Sequence, residues 1–152
     1  MWKYLTVMAI MLLILQGTVY GAEPTAADIY SQLYPLQRGA NIKVAYDMLG
    51  SPHETMNAPP VLLWRLAPKR VLIIFLYGNS IIRDSAYIET YEQIEFARQR
   101  RKELKEGFEK ILGAANEIEC VYLWSVKNFY FTLDYAEESD CFDVIMSFNA
   151  AP

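Results

Sequence analysis

The second half of this chain repeats its first half in shortened form. Around Asp47 it reads YDMLGSPHETMNAPPVLLWRLAPKRVLIIFLY, and around Lys110 it reads EKILGAANEIECVYLWSVKNFYFTLDY. Each copy opens on Leu-Gly (Leu49-Gly50, Leu112-Gly113), crosses a variable stretch and reaches a Trp (Trp64, Trp124). A short polar turn and an apolar, aromatic run ending in Tyr follow (Tyr77, Tyr135). Spacing of this kind points to one helix-plus-sheet unit used twice, too few times for a solenoid. The expectation is an α+β fold. Two tandem helix-helix-three-strand units would form one antiparallel sheet with helices on one face.

The N-terminus carries a lone Lys3, an apolar run from Leu5 to Leu15, and then small and polar residues. The run is shorter than the roughly 20 residues a membrane span requires. Val19 and Gly21 suit the positions before a signal peptidase cut, with Ala22 first in the mature chain. The expected organisation is a signal peptide over 1–21, a first unit over 22–88 and a second over 89–152, the units forming one compact domain. The alternative at the N-terminus is an uncleaved anchor. No Cys lies near the cut to take a lipid, so no stable membrane span or lipid anchor is expected after cleavage. Localisation is then periplasmic or secreted. Acids outnumber bases, 18 to 14, which argues against a nucleic-acid partner.

An even Cys count in an exported chain favours a Cys120–Cys141 disulfide. A meander opposes it: the two Cys would sit two strand spacings apart, roughly 9–10 Å, beyond the roughly 7 Å reach of a bridge. Two Cys and the distant His53 make no metal site.

Along the chain, Asp28 is expected to cap a short helix through Ile29 and Leu33 that stops near Pro35. Asn41 caps a second over Ile42 to Met48, ended by Gly50 and Pro52. Residues 51–60 read as a loop. Strands follow over Val61 to Ala67, Arg70 to Tyr77 and Ile81 to Ile88; the middle one is apolar enough to be covered on both faces. Glu89 to Leu112 is helical, with Ala97, Arg101, Leu104 and Phe108 inward and Gly107 as a place to split it. Strands close the chain over Glu119 to Val126, Asn128 to Tyr135 and Cys141 to Phe148.

Alternation assigns faces in the second unit. Phe129, Phe131, Leu133 and Tyr135, with Phe142, Val144, Met146 and Phe148, form the core side, completed by Val121 and Leu123. The other side then holds Tyr122, Trp124, Tyr130, Thr132, Asp134, Asp143 and both Cys. Its rigid aromatics suit partner binding. The matching face of the first unit would carry Leu72, Ile74 and Leu76, too apolar to be wet, so something must cover it. A homodimer is one such cover.

Helix, helix, Leu-Gly-x-Pro and antiparallel strands resemble the outer-membrane assembly lipoproteins of the BamE/SmpA family. The matching positions are Gly39, Leu49-Gly50-Ser51-Pro52, Trp64 and Val71 to Tyr77. The tandem arrangement looks like the secreted beta-lactamase inhibitor proteins (BLIP-like). The second copy has Ala114-Ala115 where the Pro would be, and the chain lacks the family's lipidation Cys. The resemblance implies a fold and a protein-binding role.

No catalytic constellation is visible. His53 lies beside Ser51 and Glu54 with no partner of defined spacing, and reads as a solvated loop residue. Arg98, Arg100, Arg101, Lys102 and Lys105 interleave with Glu95, Glu103, Glu106 and Glu109 as a solvated helix face. Glu137, Glu138, Asp140 and Asp143 lack the dense Gly-containing loop that calcium favours. The expectation is a non-enzymatic module of the bacterial cell envelope, without cofactor or metal, binding a protein partner through an exposed sheet face. The alternative is a secreted or periplasmic inhibitor or immunity protein that blocks an enzyme such as a hydrolase.

Overall fold

A computed structural model describes residues 22–150. The expected signal segment, 1–21, lies outside the described residues. The first helix, α1 (Ala26–Leu33), starts earlier than the Asp28 cap implies. Thr25 caps it: its hydroxyl accepts the Asp28 N–H while Asp28 Oδ2 accepts the Thr25 N–H (2.8 Å), a reciprocal capping box. Pro35 stops it in a 3-10 turn over Tyr34–Leu36. Asn41 Oδ1 accepts the Lys43 N–H (2.9 Å) at the start of α2 (Lys43–Leu49). The third helix, α3 (Ile94–Leu112), runs unbroken through Gly107.

Gly107 is small for a packing reason. A Cβ placed on it would lie 2.6 Å from the Cβ of Ala26, so α1 crosses α3 at this point. In an open helix Gly→Ala gains roughly 1 kcal/mol. Here the overlap forces the helices apart, and Gly107→Ala is expected to lower stability by about 1–3 kcal/mol in urea unfolding. In an Ala26→Gly background the same change should become neutral or stabilising.

Among the described residues, eight strands form one antiparallel sheet. They are β1 (Glu54–Asn57), β2 (Pro60–Ala67), β3 (Arg70–Tyr77), β4 (Ile81–Tyr91), β5 (Asn116–Ile118), β6 (Val121–Val126), β7 (Phe129–Glu137) and β8 (Phe142–Ala150). The order is β1-β2-β3-β4-β8-β7-β6-β5, so each half of the chain supplies a four-strand meander and the halves meet where β4 pairs with β8. The edge strands β1 and β5 are additions to the three strands expected per unit. Both are short and mostly exposed, as sheet edges commonly are, and carry no apolar alternation to betray them. β4 also runs to Tyr91, past the expected boundary at Ile88, which puts Glu89 on a strand and not in the helix.

Helices α1, α2 and α3 bury their apolar residues against one face of the sheet. Ile29 and Leu33 from α1, Ala45 from α2 and Leu104 and Phe108 from α3 meet Trp64, Leu72, Ile74, Phe131, Met146 and Phe148. Phe108 and Phe131 pack edge to face with centroids 4.7 Å apart. The two Trp make the same contact in each half. Gly50 and Gly113 end α2 and α3 with φ of +73° and +87°, a region open to glycine. Trp64 Nε1 donates to the Gly50 carbonyl (3.1 Å), and Trp124 Nε1 donates to the Gly113 carbonyl (2.9 Å). Each indole thereby satisfies a helix-end carbonyl while its ring fills the core.

One buried polar knot ties α3 to the sheet. Arg100 donates from Nε to Glu89 Oε2 (2.6 Å) and from its terminal nitrogen to Oε1 (2.9 Å), a bidentate pair, and also to the Pro24 carbonyl (2.7 Å). The Tyr91 hydroxyl donates to the same carboxylate (2.9 Å), and Arg70 approaches it at 3.6 Å. Burial, reinforced by Glu89, raises the Tyr91 phenol well above its ordinary range and keeps it a donor. Arg100 therefore occupies the inward position between Ala97 and Leu104 that the helical spacing suggested for Arg101.

Candidate protein-binding face

Strand pairing determines which residues lie opposite the helices. Directly paired residues share a face. Trp124 pairs with Phe131 and Tyr122 with Leu133, so both point to the helix side. Trp124 is 2% exposed. It and Tyr122 therefore do not belong to the outer face, and Val121 and Leu123 do. Both phases of β6 are apolar, so alternation within that strand could not choose between them. A one-residue slip exchanges the faces. Leu72, Ile74 and Leu76 are corrected in the same way, since Leu72 pairs with Trp64 and Ile74 with Leu62 on the helix side.

Tyr130, Thr132, Asp134 and Asp143 do point away from the helices, but Asp143, expected to be exposed there, is buried at 1%. Thr132 pairs with Leu123 on one side and Ser147 on the other. Its hydroxyl meets the Ser147 hydroxyl at 2.8 Å, and Asn149 Nδ2 donates to both (3.1 and 2.8 Å). This polar strip is internally satisfied.

Beside it lies a feature that alternation along the chain puts on the wrong strand phase. Val61, Leu63, Val71, Ile73 and Ile88 form a second apolar cluster on the outer face, with Phe75, Ala86 and Ile145 packed against it. Every member sits on a strand. Among the described residues, the buried apolar helix side chains all belong to the other cluster. Covering of β3 on both faces is as expected: Val71, Leu72, Ile73 and Ile74 are all buried. Charged groups border the patch. Arg65 pairs with Glu54 across the β1–β2 ladder, and Arg83 lies 5.2 Å over the Phe75 ring while bonding Asp84 (2.8 Å).

Cys120 and Cys141 are free thiols, so the expected disulfide is not formed. β7 lies between the strands that follow them, which is the separation a meander imposes. Glu138, Cys141 and Asp143 instead converge at the end of the β7–β8 hairpin. Burial pushes the Asp143 carboxyl up to about 6, against the hydrogen bond from Thr90 and with help from Glu138. Burial, then Asp143, Glu138 and Asp140, push the Cys141 thiol up to about 11.

His53 has a structural task. Its backbone N–H donates to the Leu63 carbonyl (2.8 Å), and its Nδ1 accepts the Arg65 N–H (3.1 Å), extending the β1–β2 ladder. The basic run on α3 divides: Arg100 is buried, while Arg101 and Lys105 lie 4.4 and 5.2 Å over the Tyr122 ring. Among the described residues, no helix is long and apolar enough to cross a membrane. No family model, curated protein or solved structure matches this chain.

Proposed function

We propose that this protein is an exported, non-catalytic binding module of the cell envelope, periplasmic or secreted, that takes a protein partner on the outer face of its sheet. The observation that carries this is the apolar centre of that face, from Val61 and Leu63 across Ile73 to Ile88 and Ile145. The central residues of this face are buried while Phe75, Ala86 and Ile145 around them are half-buried, and the described helices lie on the other side, so the face is of the kind that takes a covering layer. The polar strip of Thr132, Ser147 and Asn149 beside it supplies the rim typical of a binding surface. We further read the fold as two tandem units of the assembly-lipoprotein type, related by a rotation that exchanges β4 and β8. The paired Trp–Gly hydrogen bonds and the two meanders support that reading.

Site-specific photocrosslinking in an envelope fraction tests the partner face. Probes at Phe75 and Ile145 should give one common adduct, and a probe at Tyr46, exposed on the helix side, should not. Ile145→Asp should weaken binding of that partner at least tenfold. Adducts of equal yield from all three positions would remove the outer face as the site. Barrel-assembly components among the adducts sustain the envelope role, whereas a single stoichiometric hydrolase would turn it into inhibition.

A further inference from the structure

We propose that the end of the β7–β8 hairpin is a binding site for a zinc-type divalent cation, formed by Glu138, Cys141 and Asp143. The backbone brings them together. Ala136 pairs with Asp143 and Glu137 with Phe142, and the Glu138 N–H donates to the Cys141 carbonyl (2.9 Å), continuing the ladder by one pair. Strand alternation then sends Cys141 and Asp143, two residues apart, to the same outer face, with Glu138 across from Cys141. One ligand atom from each lies within 4.8 Å of the other two.

Asp143 supplies the independent sign that something belongs there. It is 1% exposed, yet its Oδ2 has no hydrogen-bond partner among the described residues. An unpaired buried carboxylate oxygen is costly and calls for a partner. Its other oxygen is held: Thr90 Oγ1 donates to Oδ1 (2.8 Å), as an outer hydrogen bond orients a ligating carboxylate. Ala136, opposite Asp143, adds no bulk.

The donor set selects the ion. One thiolate and two carboxylates suit zinc, whereas calcium and magnesium take oxygen alone. Zn–S of about 2.3 Å and Zn–O of about 2.0–2.2 Å require the donors to close in somewhat. Glu138 and Cys141 are only partly buried and have room to do so. Binding releases the Cys141 proton to solvent and leaves a fourth position for water or for a donor from a partner. The site stands on its own residues and does not depend on the partner face.

Cobalt and zinc titrations of the reduced protein test it. One equivalent of Co²⁺ should produce a near-ultraviolet thiolate-to-metal band that Zn²⁺ bleaches. Cys120→Ser should leave the band intact, Cys141→Ser should abolish it, and Asp143→Asn should weaken binding at least tenfold. Zn²⁺ should also slow alkylation of Cys141 in the unmutated protein at least tenfold while leaving Cys120 unprotected. No band at one equivalent, a band lost with Cys120→Ser instead, or equal alkylation of Cys141 with and without Zn²⁺ overturns the proposal.

Discussion

Trp124→Ala is expected to cost about 3–5 kcal/mol and to lower the thermal midpoint by on the order of 10 °C. The indole is 2% exposed and packs 5.7 Å from Phe108 and 5.9 Å from Phe131. Its removal opens a void between α3 and the sheet. It also leaves the Gly113 carbonyl without the indole N–H, which donates at 2.9 Å. Trp64→Ala should behave alike, because Trp64 is as deeply buried and holds Gly50 in the same way. Trp124→Phe should fall between, keeping part of the packing and losing the hydrogen bond. Tyr130→Ala, on the outer face, should change stability by less than about 1 kcal/mol. Thermal unfolding of the four variants checks the order. A Trp124→Ala midpoint within about 2 °C of the unmutated protein would contradict the core assignment.

Arg100→Ala is expected to cost a comparable amount, about 3–5 kcal/mol, for a different reason. It strands the Glu89 carboxylate, 1% exposed, leaving it Tyr91 at 2.9 Å and Arg70 at 3.6 Å among the described residues. It also frees the chain at Pro24, whose carbonyl Arg100 holds at 2.7 Å. Urea unfolding should show the loss, and proteolysis near Ala22 to Thr25 should accelerate. The double variant Glu89→Gln, Arg100→Met should recover much of the loss, because it removes both buried charges together. Equal losses for the single and double variants would mean that the carboxylate is not the source of the cost.

Much of the local architecture is legible in the chain. Gly50 and Gly113, each after a Leu and before a break in periodicity, mark the ends of α2 and α3. The long runs of β2, β3, β4, β7 and β8 announce themselves by composition. Phe131, Leu133, Val144, Met146 and Phe148 lie inward as expected, because their strands alternate cleanly between apolar and polar residues. The failures share a cause. β1 and β5 are exposed edges whose existence rests on pairing with β2 and β6, a pairing that leaves little trace in their own composition. The side chains of β6 exchange faces relative to expectation because Val121, Leu123 and Tyr122, Trp124 are equally plausible inward sets until Phe131 takes its place opposite Trp124. The candidate site suffers accordingly. Alternation puts Tyr130, Thr132, Asp134 and Asp143 on the outer face, where Asp143 is nevertheless buried, misplaces Tyr122 and Trp124, and misses the apolar cluster around Ile73.

The amino-acid order alone determined where the helices stop, the main strand segments and the recurrence of the Leu-Gly to Trp pattern, since these depend on backbone conformation and neighbours close in the chain. Only the tertiary structure decided that Arg100 is buried, that Trp124 faces inward and that Glu138, Cys141 and Asp143 converge. Each depends on a partner or register brought close by the fold: Glu89 eleven residues from Arg100 in the chain, Phe131 across from Trp124, and Thr90 fifty-three residues from Asp143. Side-chain burial and charge pairing are settled in space, and strand register is what converts position in the chain into position in space.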